Sequence, residues 1–157
     1  MTKVKSFIPV LNIRLKDNYI SAWRAGMNVC SSLSLFKQVK TIFEMSFYLL
    51  RIVNVKHRNT LSKLRLSSHH LYIETGRHRE IPRCDRICEM CTNEDIEDEY
   101  HFVLICDKYE TLRHQYIPRY YYTRPSMYKF IGLIQCENVK TLNNLAKYVI
   151  CAQKLRI

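Results

Sequence analysis

Glycine and proline are scarce in this chain, three and four residues in 157. So few breakers leave long stretches free to hold one backbone conformation. Leucine, lysine, tyrosine and isoleucine are plentiful and apolar residues recur at three and four, so the expected fold class is mainly α. Long apolar runs are missing as well. The greasiest stretch, Phe43 to Val53, holds Glu44 and Arg51 and falls far short of the roughly 20 residues that a membrane-spanning helix needs. The first residues, MTKVKSFIPVLNIRLKDN, alternate basic and apolar side chains without the apolar core or small-residue cleavage site of a secretory signal. An intracellular protein of nucleus or cytoplasm, not secreted, is expected. Signatures of catalysis are absent too: there is no Gly-rich phosphate loop, no Gly-x-Ser-x-Gly, no His-Glu-x-x-His and no paired-Asp motif of a polymerase or nuclease. No catalytic residue is nominated, no small-molecule substrate is expected, and the chain reads as a non-enzyme.

Acidic residues are few only in part of the chain. Residues 1–86 carry 16 Lys/Arg against 5 Asp/Glu, whereas residues 87–157 carry 9 against 9, so the whole excess behind the net charge of +11 lies in the first part. An imbalance of that kind points to a directed contact with a polyanion, RNA or DNA before an anionic membrane, and the plainer alternative is a set of solvated basic faces.

Helical signals divide the chain into three segments: 1–53 with N-terminal helices, 54–125 with a basic helix and an arginine-rich arm, and 126–157 with C-terminal helices. In the first, Asp17 is placed to cap a helix carrying Ile20, Trp23 and Met27, and Ser34 to cap one carrying Phe36, Val39, Phe43 and Phe47. In the second, Asn54 to Leu66 suits a helix with Leu61 and Leu64 inward. On it Lys56 and Lys63 are seven apart, as are Arg58 and Arg65, making two short basic ridges that phosphates could meet. The following LYIETGRHREIPRCDRIC has a turn residue in Gly76 and a helix breaker in Pro82, so an irregular arm is expected, with Arg77, Arg79, Arg83 and Arg86 as candidate nucleic-acid contacts. Asp107 and Glu110 are spaced as a capping box for a helix bearing Tyr109, Leu112 and Tyr116. Last, Asn138 can cap a helix whose Val139, Leu142, Ala146, Val149 and Ala152 form a stripe that needs a partner surface.

Seven cysteines in a reducing compartment read as thiols or metal ligands rather than disulfides, and an odd number cannot fully pair. Cys88-x2-Cys91 puts two thiolates on one tight turn, and His101-x4-Cys106 supplies a second pair after nine intervening residues. Together they make a four-donor set for one structural zinc ion, with Cys84 as an alternative first ligand in a Cys84-x3-Cys88 pair. Residues five apart on an uninterrupted α-helix point about 140° away from each other. The chain is therefore expected to bend between His101 and Cys106, with Asp107 capping the helix beyond. Three thiolates and a neutral imidazole leave the cluster near −1, which Arg83 and Arg86 could offset. The acidic run Glu94, Asp95, Glu97, Asp98, Glu99 reads as a solvated loop. The full expectation is a small helical domain with a CCHC zinc-knuckle-like loop in its middle.

The stretch RNTLSKLRLSSHHLYIETGRHREIPRCDRICEMC, followed by IEDEYHFVLICDKYETLRHQYIPRYY, resembles the zinc-binding segment downstream of reverse transcriptase in LINE-type, non-LTR retrotransposon polyproteins. The resemblance covers roughly residues 50–125. Its Leu-Arg-x-Ser-x-His element falls on Leu64, Arg65, Ser67 and His69, and its Gly-Arg-x-x-x-Ile-Pro-Arg element on Gly76, Arg77, Ile81, Pro82 and Arg83. It implies that Cys88, Cys91, His101 and Cys106 hold zinc, that the module grips RNA or DNA during target-primed reverse transcription, and that a reverse transcriptase domain is a partner. Polymerase and endonuclease are absent from this chain, so an accessory fragment is expected. The rival expectation is a zinc-stabilised protein-interaction module or relic, motivated by the apolar stripe of the last helix.

Overall fold

The computed structural model describes the backbone of residues 2–156 and the side-chain surroundings of residues 9–30 and 32–156; Met1 and Ile157, at the ends of the first and third segments, lie outside them. Helices run α1 Thr2–Val29, α2 Ser34–Val39, α3 Phe47–Arg51, α4 Val55–Arg65, α5 Tyr72–His78, α6 Glu110–Tyr116, α7 Arg119–Tyr122, α8 Met127–Gln135 and α9 Val139–Lys154. No strand forms among the described residues, and the only extended pairing there is one antiparallel bridge between Ile87 and Ile96. The class is mainly α, as its scarce breakers require.

Two helices follow their sequence signals closely. Asn54 caps α4 by accepting from the His57 N–H at 3.1 Å, and Asn138 caps α9 by accepting from the Thr141 N–H at 2.9 Å. Each cap satisfies one of the amide groups that a helix start leaves without a partner. Leu61 and Leu64 of α4 and Leu142, Ala146, Val149 and Ala152 of α9 are all buried. The two helices pack on each other, joined at their edge by a 2.7 Å hydrogen bond between His57 Nδ1 and Asn143 Oδ1. The buried cluster reaches from Leu35 to Ala152, so parts of all three segments share one core. Apart from Val139, which is exposed, the stripe on α9 thus has its partner surface inside the chain.

Elsewhere the sequence signals mislead. Asp17 caps nothing, because α1 is already under way and continues through it; its Ile20, Trp23 and Met27 are half-buried, and Trp23 packs edge-on against Phe43 at 5.3 Å. The helix opened at Ser34 stops at Val39 rather than reaching Phe47. Thr41 and Ile42 are β-branched and hold a helix poorly, and restarting at Phe47 turns Tyr48 and Ile52 inward while Phe43 stays exposed. The expected irregular arm begins as a helix, α5, with Ile73, Glu74 and Gly76 buried. Gly76 supplies no turn there. It supplies room: a Cβ would lie 2.9 Å from Cγ of Arg86 and 3.1 Å from its Cδ.

Candidate metal centre

Cys88, Cys91, His101 and Cys106 arrive from two pieces of backbone. A short hairpin carries the first pair, closed by the Ile87–Ile96 bridge and by Cys88 N–H to Asp95 O at 2.9 Å and Glu97 N–H to Arg86 O at 2.8 Å. A widened π-type turn over His101–Ile105 carries the second pair, with the Cys106 N–H donating to His101 O at 2.8 Å. An i to i+5 bond of that kind places residues five apart on the same side, which a regular α-turn would not. The bend comes at Cys106 (φ −53, ψ 121), one residue before Asp107, and the Asp107–Glu110 capping box does not form. A 3-10 turn over Asp107–Tyr109 leads into α6 instead.

One donor atom from each of the four residues lies within 4.8 Å of the others. Cys88 Sγ stands 3.9 Å from Cys106 Sγ, and Cys91 Sγ 3.3 Å from His101 Nε2. Tetrahedral ligands at about 2.3 Å for sulfur and about 2.0 Å for nitrogen would be separated by about 3.8 Å and about 3.5 Å. The cluster therefore has the dimensions to hold a metal ion. Cys84 is exposed and outside it, so the alternative first ligand is not among the gathered donors.

Burial decides the electrostatics. It pushes the Cys88 thiol far up and the Cys106 thiol up to about 11, with Cys106 also disfavouring charge on Cys88 and Cys91 disfavouring it on Cys106. Burial likewise pulls the His101 imidazole down, against the upward pull of Asp95, Asp98 and Glu97. Without an ion, all three groups are held neutral. His101 Nδ1 is buried and without a hydrogen-bond partner, and the nearest carboxylate, Asp95, is 3.6 Å away. An imidazole coordinating through Nε2 carries its proton on Nδ1, where a carboxylate can orient it.

The side chains that hold the donors in place are mostly ones the sequence pattern conceals. Arg113 of α6 is buried, and donates to Val103 O at 2.9 Å and Cys106 O at 2.6 Å, fixing the π-type turn. Asp98 Oδ1 accepts from the His101 N–H at 3.0 Å. Glu97, only 2% exposed, accepts from the Tyr72 N–H at 2.7 Å and from both arms of the Arg156 guanidinium, and stands 3.6 Å from Cys88 Sγ. Glu99 accepts from Ser67 Oγ at 2.5 Å and pairs with His69 Nε2 at 2.9 Å. Burial alone would raise the Glu99 carboxyl, yet these partners hold it below its usual range. The acidic run is thus solvated at Glu94 and Asp95 but not at Glu97 and Glu99. Glu97 and Glu99 face the core because the bridge at Ile96 and the turn at Asp98 impose an alternation that their charge did not announce.

The eight nominated cations divide sharply. Arg65 is buried, its guanidinium 4.3 Å over the Tyr48 ring and bonded to Ile134 O. Arg86 donates to Ile81 O and Ile73 O, Arg58 to Ile52 O, and Arg77 pairs with Glu74 at 2.8 Å. These four brace the fold. Lys56, Lys63, Arg79 and Arg83 are exposed, and Arg83 reaches Asp98 at 3.3 Å. Near the cluster Arg83 pairs with Asp98 and Arg156 with Glu97, Arg86 is bonded to carbonyls, and the charge of Arg113 adds to the downward pull on His101. Several residues that carry the family resemblance have structural duties: Leu64 in the core, Arg65 on Tyr48, Ser67 and His69 on Glu99, Gly76 under Arg86.

Comparison with protein-family models, curated proteins and solved structures found no match. No helix among the described residues is long and apolar enough to cross a membrane.

Proposed function

We propose that the chain is a non-catalytic, zinc-clasped helical module that binds RNA or DNA, and that it derives from the segment downstream of a retrotransposon reverse transcriptase. The observation that carries the zinc reading is the closed set of four donors within 4.8 Å, three of them sulfur. Soft thiolates with an imidazole favour zinc over the oxygen-seeking divalent ions. Four protein ligands leave no position for water, which makes the ion structural. It joins the hairpin that follows α5 to the turn that precedes α6.

Nucleic-acid binding rests on the charge excess of residues 1–86 and on the exposed Arg79 and Arg83 just before the first ligand. Arginines so placed can grip phosphates in a bidentate fashion. The interaction-module reading loses the surface that motivated it, since Leu142, Ala146 and Val149 are buried against the chain's own helices.

Purified protein is expected to contain about one equivalent of zinc, and Cys91→Ser to lose both the metal and much of the helical signal, since ion binding and folding are coupled in such sites. Metal-free protein with unchanged helicity would sink the zinc reading. For the second half, affinity for single-stranded RNA or DNA should fall steeply as salt rises, and the Arg79→Ala, Arg83→Ala double variant should bind weakly while keeping its zinc. Salt-independent binding, or an indifferent double variant, would count against it.

A further inference from the structure

A groove of about 1070 Å³ opens between α4 and the last turns of α9, away from the metal ligands. One wall is the face of α4 bearing Lys56, Asn59, Thr60 and Lys63; the other is Ile150, Gln153 and Lys154 of α9. Leu71 and Ile150 give it an aliphatic floor, and His70 and Arg156 close one end. Arg156 is held by Glu97, but Lys56, Lys63 and Lys154 are exposed and in no ion pair among the described residues. Among the described residues no carboxylate lines the groove.

We propose that this groove is a docking site for an acidic amphipathic helix of a partner protein. The choice of occupant follows from chemistry and dimensions. An apolar floor between cationic rims matches a ligand that is apolar on one side and anionic along its edges. Lys56 and Lys63 are seven residues apart on α4 and so about 10.5 Å apart along its axis. Two carboxylates seven apart on a partner helix repeat that distance. The wall positions 56, 59, 60 and 63 form the ridge pattern into which a third helix packs, and the space is on the order of two turns of a helix with its side chains. A nucleic-acid strand is the less apt occupant, because its apolar surface is the faces of its bases, and among the described residues no Phe, Tyr or Trp lines the groove for them to stack on. The proposal assigns Lys56 and Lys63 to the partner helix and leaves the nucleic-acid reading to Arg79 and Arg83, which lie outside the groove.

The test uses zinc-loaded full chain and a fluorescein-labelled synthetic peptide with leucines on one helical face and glutamates seven apart on its flank. Saturable binding is expected, with amide resonances of Asn59, Thr60 and Gln153 shifting on titration. Lys63→Glu with Lys154→Glu should weaken binding by about tenfold or more, and Asn59→Trp should block it by filling the groove. All three positions are on the groove's surface, and zinc content and circular dichroism of the variants check that the fold is intact. Arg79→Ala with Arg83→Ala should leave peptide affinity unchanged. Three results would overturn the proposal: no binding, equal binding of a peptide with lysines in place of the glutamates, or charge-reversal variants that bind as well as the parent. A fourth would as well: an oligo-dT strand that displaces the peptide and shifts the same three amides makes the groove a nucleic-acid site.

Discussion

Whether a cation in this chain meets solvent or the core is decided by its place relative to neighbouring leucines and tyrosines, not by its charge. Arg65 lies four residues after Leu61 and next to Leu64, on the inward face of α4, so it is carried under Tyr48 and bonds to Ile134 O. Arg113 lies four after Tyr109 and three before Tyr116, inside the stripe of α6. Those offsets are legible in the sequence. What is not legible is that a guanidinium would find a carbonyl or ring there, since that depends on residues 69 and 10 positions away in the chain. Arg65→Ala is expected to lower unfolding free energy by about 2 kcal/mol through loss of the cation-π contact and of a buried hydrogen bond. Arg79→Ala, at an exposed site, should stay within about 0.5 kcal/mol. Urea denaturation of the two variants side by side checks this, and equal losses would show that the division of the cations is wrong. At Arg113, replacement by Met takes the side-chain donor from Val103 O and leaves Cys106 O only the Tyr109 N–H at 3.2 Å, and should cost about 2 to 3 kcal/mol along with zinc affinity, read by competition with a chromogenic chelator.

At the level of elements, α4 was legible in the sequence from its inward leucines, and α9 because cap and stripe agree within it. The limits of α1, α2 and α5 were not, because the apolar stripes read for α1 and α2 do not mark where those helices begin and end, and packing against Arg86 sets the place of Gly76 in α5. Asp17 looks like a cap but follows a stretch that already holds helix, and Gly76 looks like a turn but sits inside α5. The four metal donors could be named from spacing alone, whereas the π-type turn that unites His101 with Cys106 could not, as its alternative is a bend. Gly76 provides a measurable case of packing over propensity. Alanine is favoured in helices over glycine by about 1 kcal/mol, so Gly76→Ala would stabilise an isolated α5. In the folded chain its methyl meets Cγ of Arg86 at 2.9 Å, and Arg86 cannot swing aside without leaving Ile73 O and Ile81 O. A net loss of about 1 to 2 kcal/mol is expected. In the Arg86→Ala background the same change should be neutral or favourable, a coupling that a double-mutant cycle reads directly.

For the whole molecule the metal centre sets how stability depends on pH, because its ligands lie within the shared core: Cys88 and Cys106 are buried with Phe102, Val103 and Leu104 between the donors. In the metal-free fold Cys106 titrates at about 11 and Cys88 higher, against 9.0 for an ordinary thiol. Above about pH 9 the unfolded chain has therefore released protons that the fold still holds, so metal-free stability falls as pH rises. His101 works on the other flank. Its folded value lies below the ordinary 6.5, so the unfolded chain takes up a proton first, and metal-free stability is lost as pH falls from about 6.5 through the folded value. On the zinc reading proposed above, both flanks change. Bound thiolates have no proton to keep, which removes the alkaline loss, while protons compete for all four donors in acid. Melting temperatures from about pH 5 to about pH 10 should trace a dome for protein in excess EDTA and a curve that stays high on the alkaline side with one equivalent of zinc. The gap between the curves should widen with rising pH, and parallel curves would mean that these four side chains do not hold the ion.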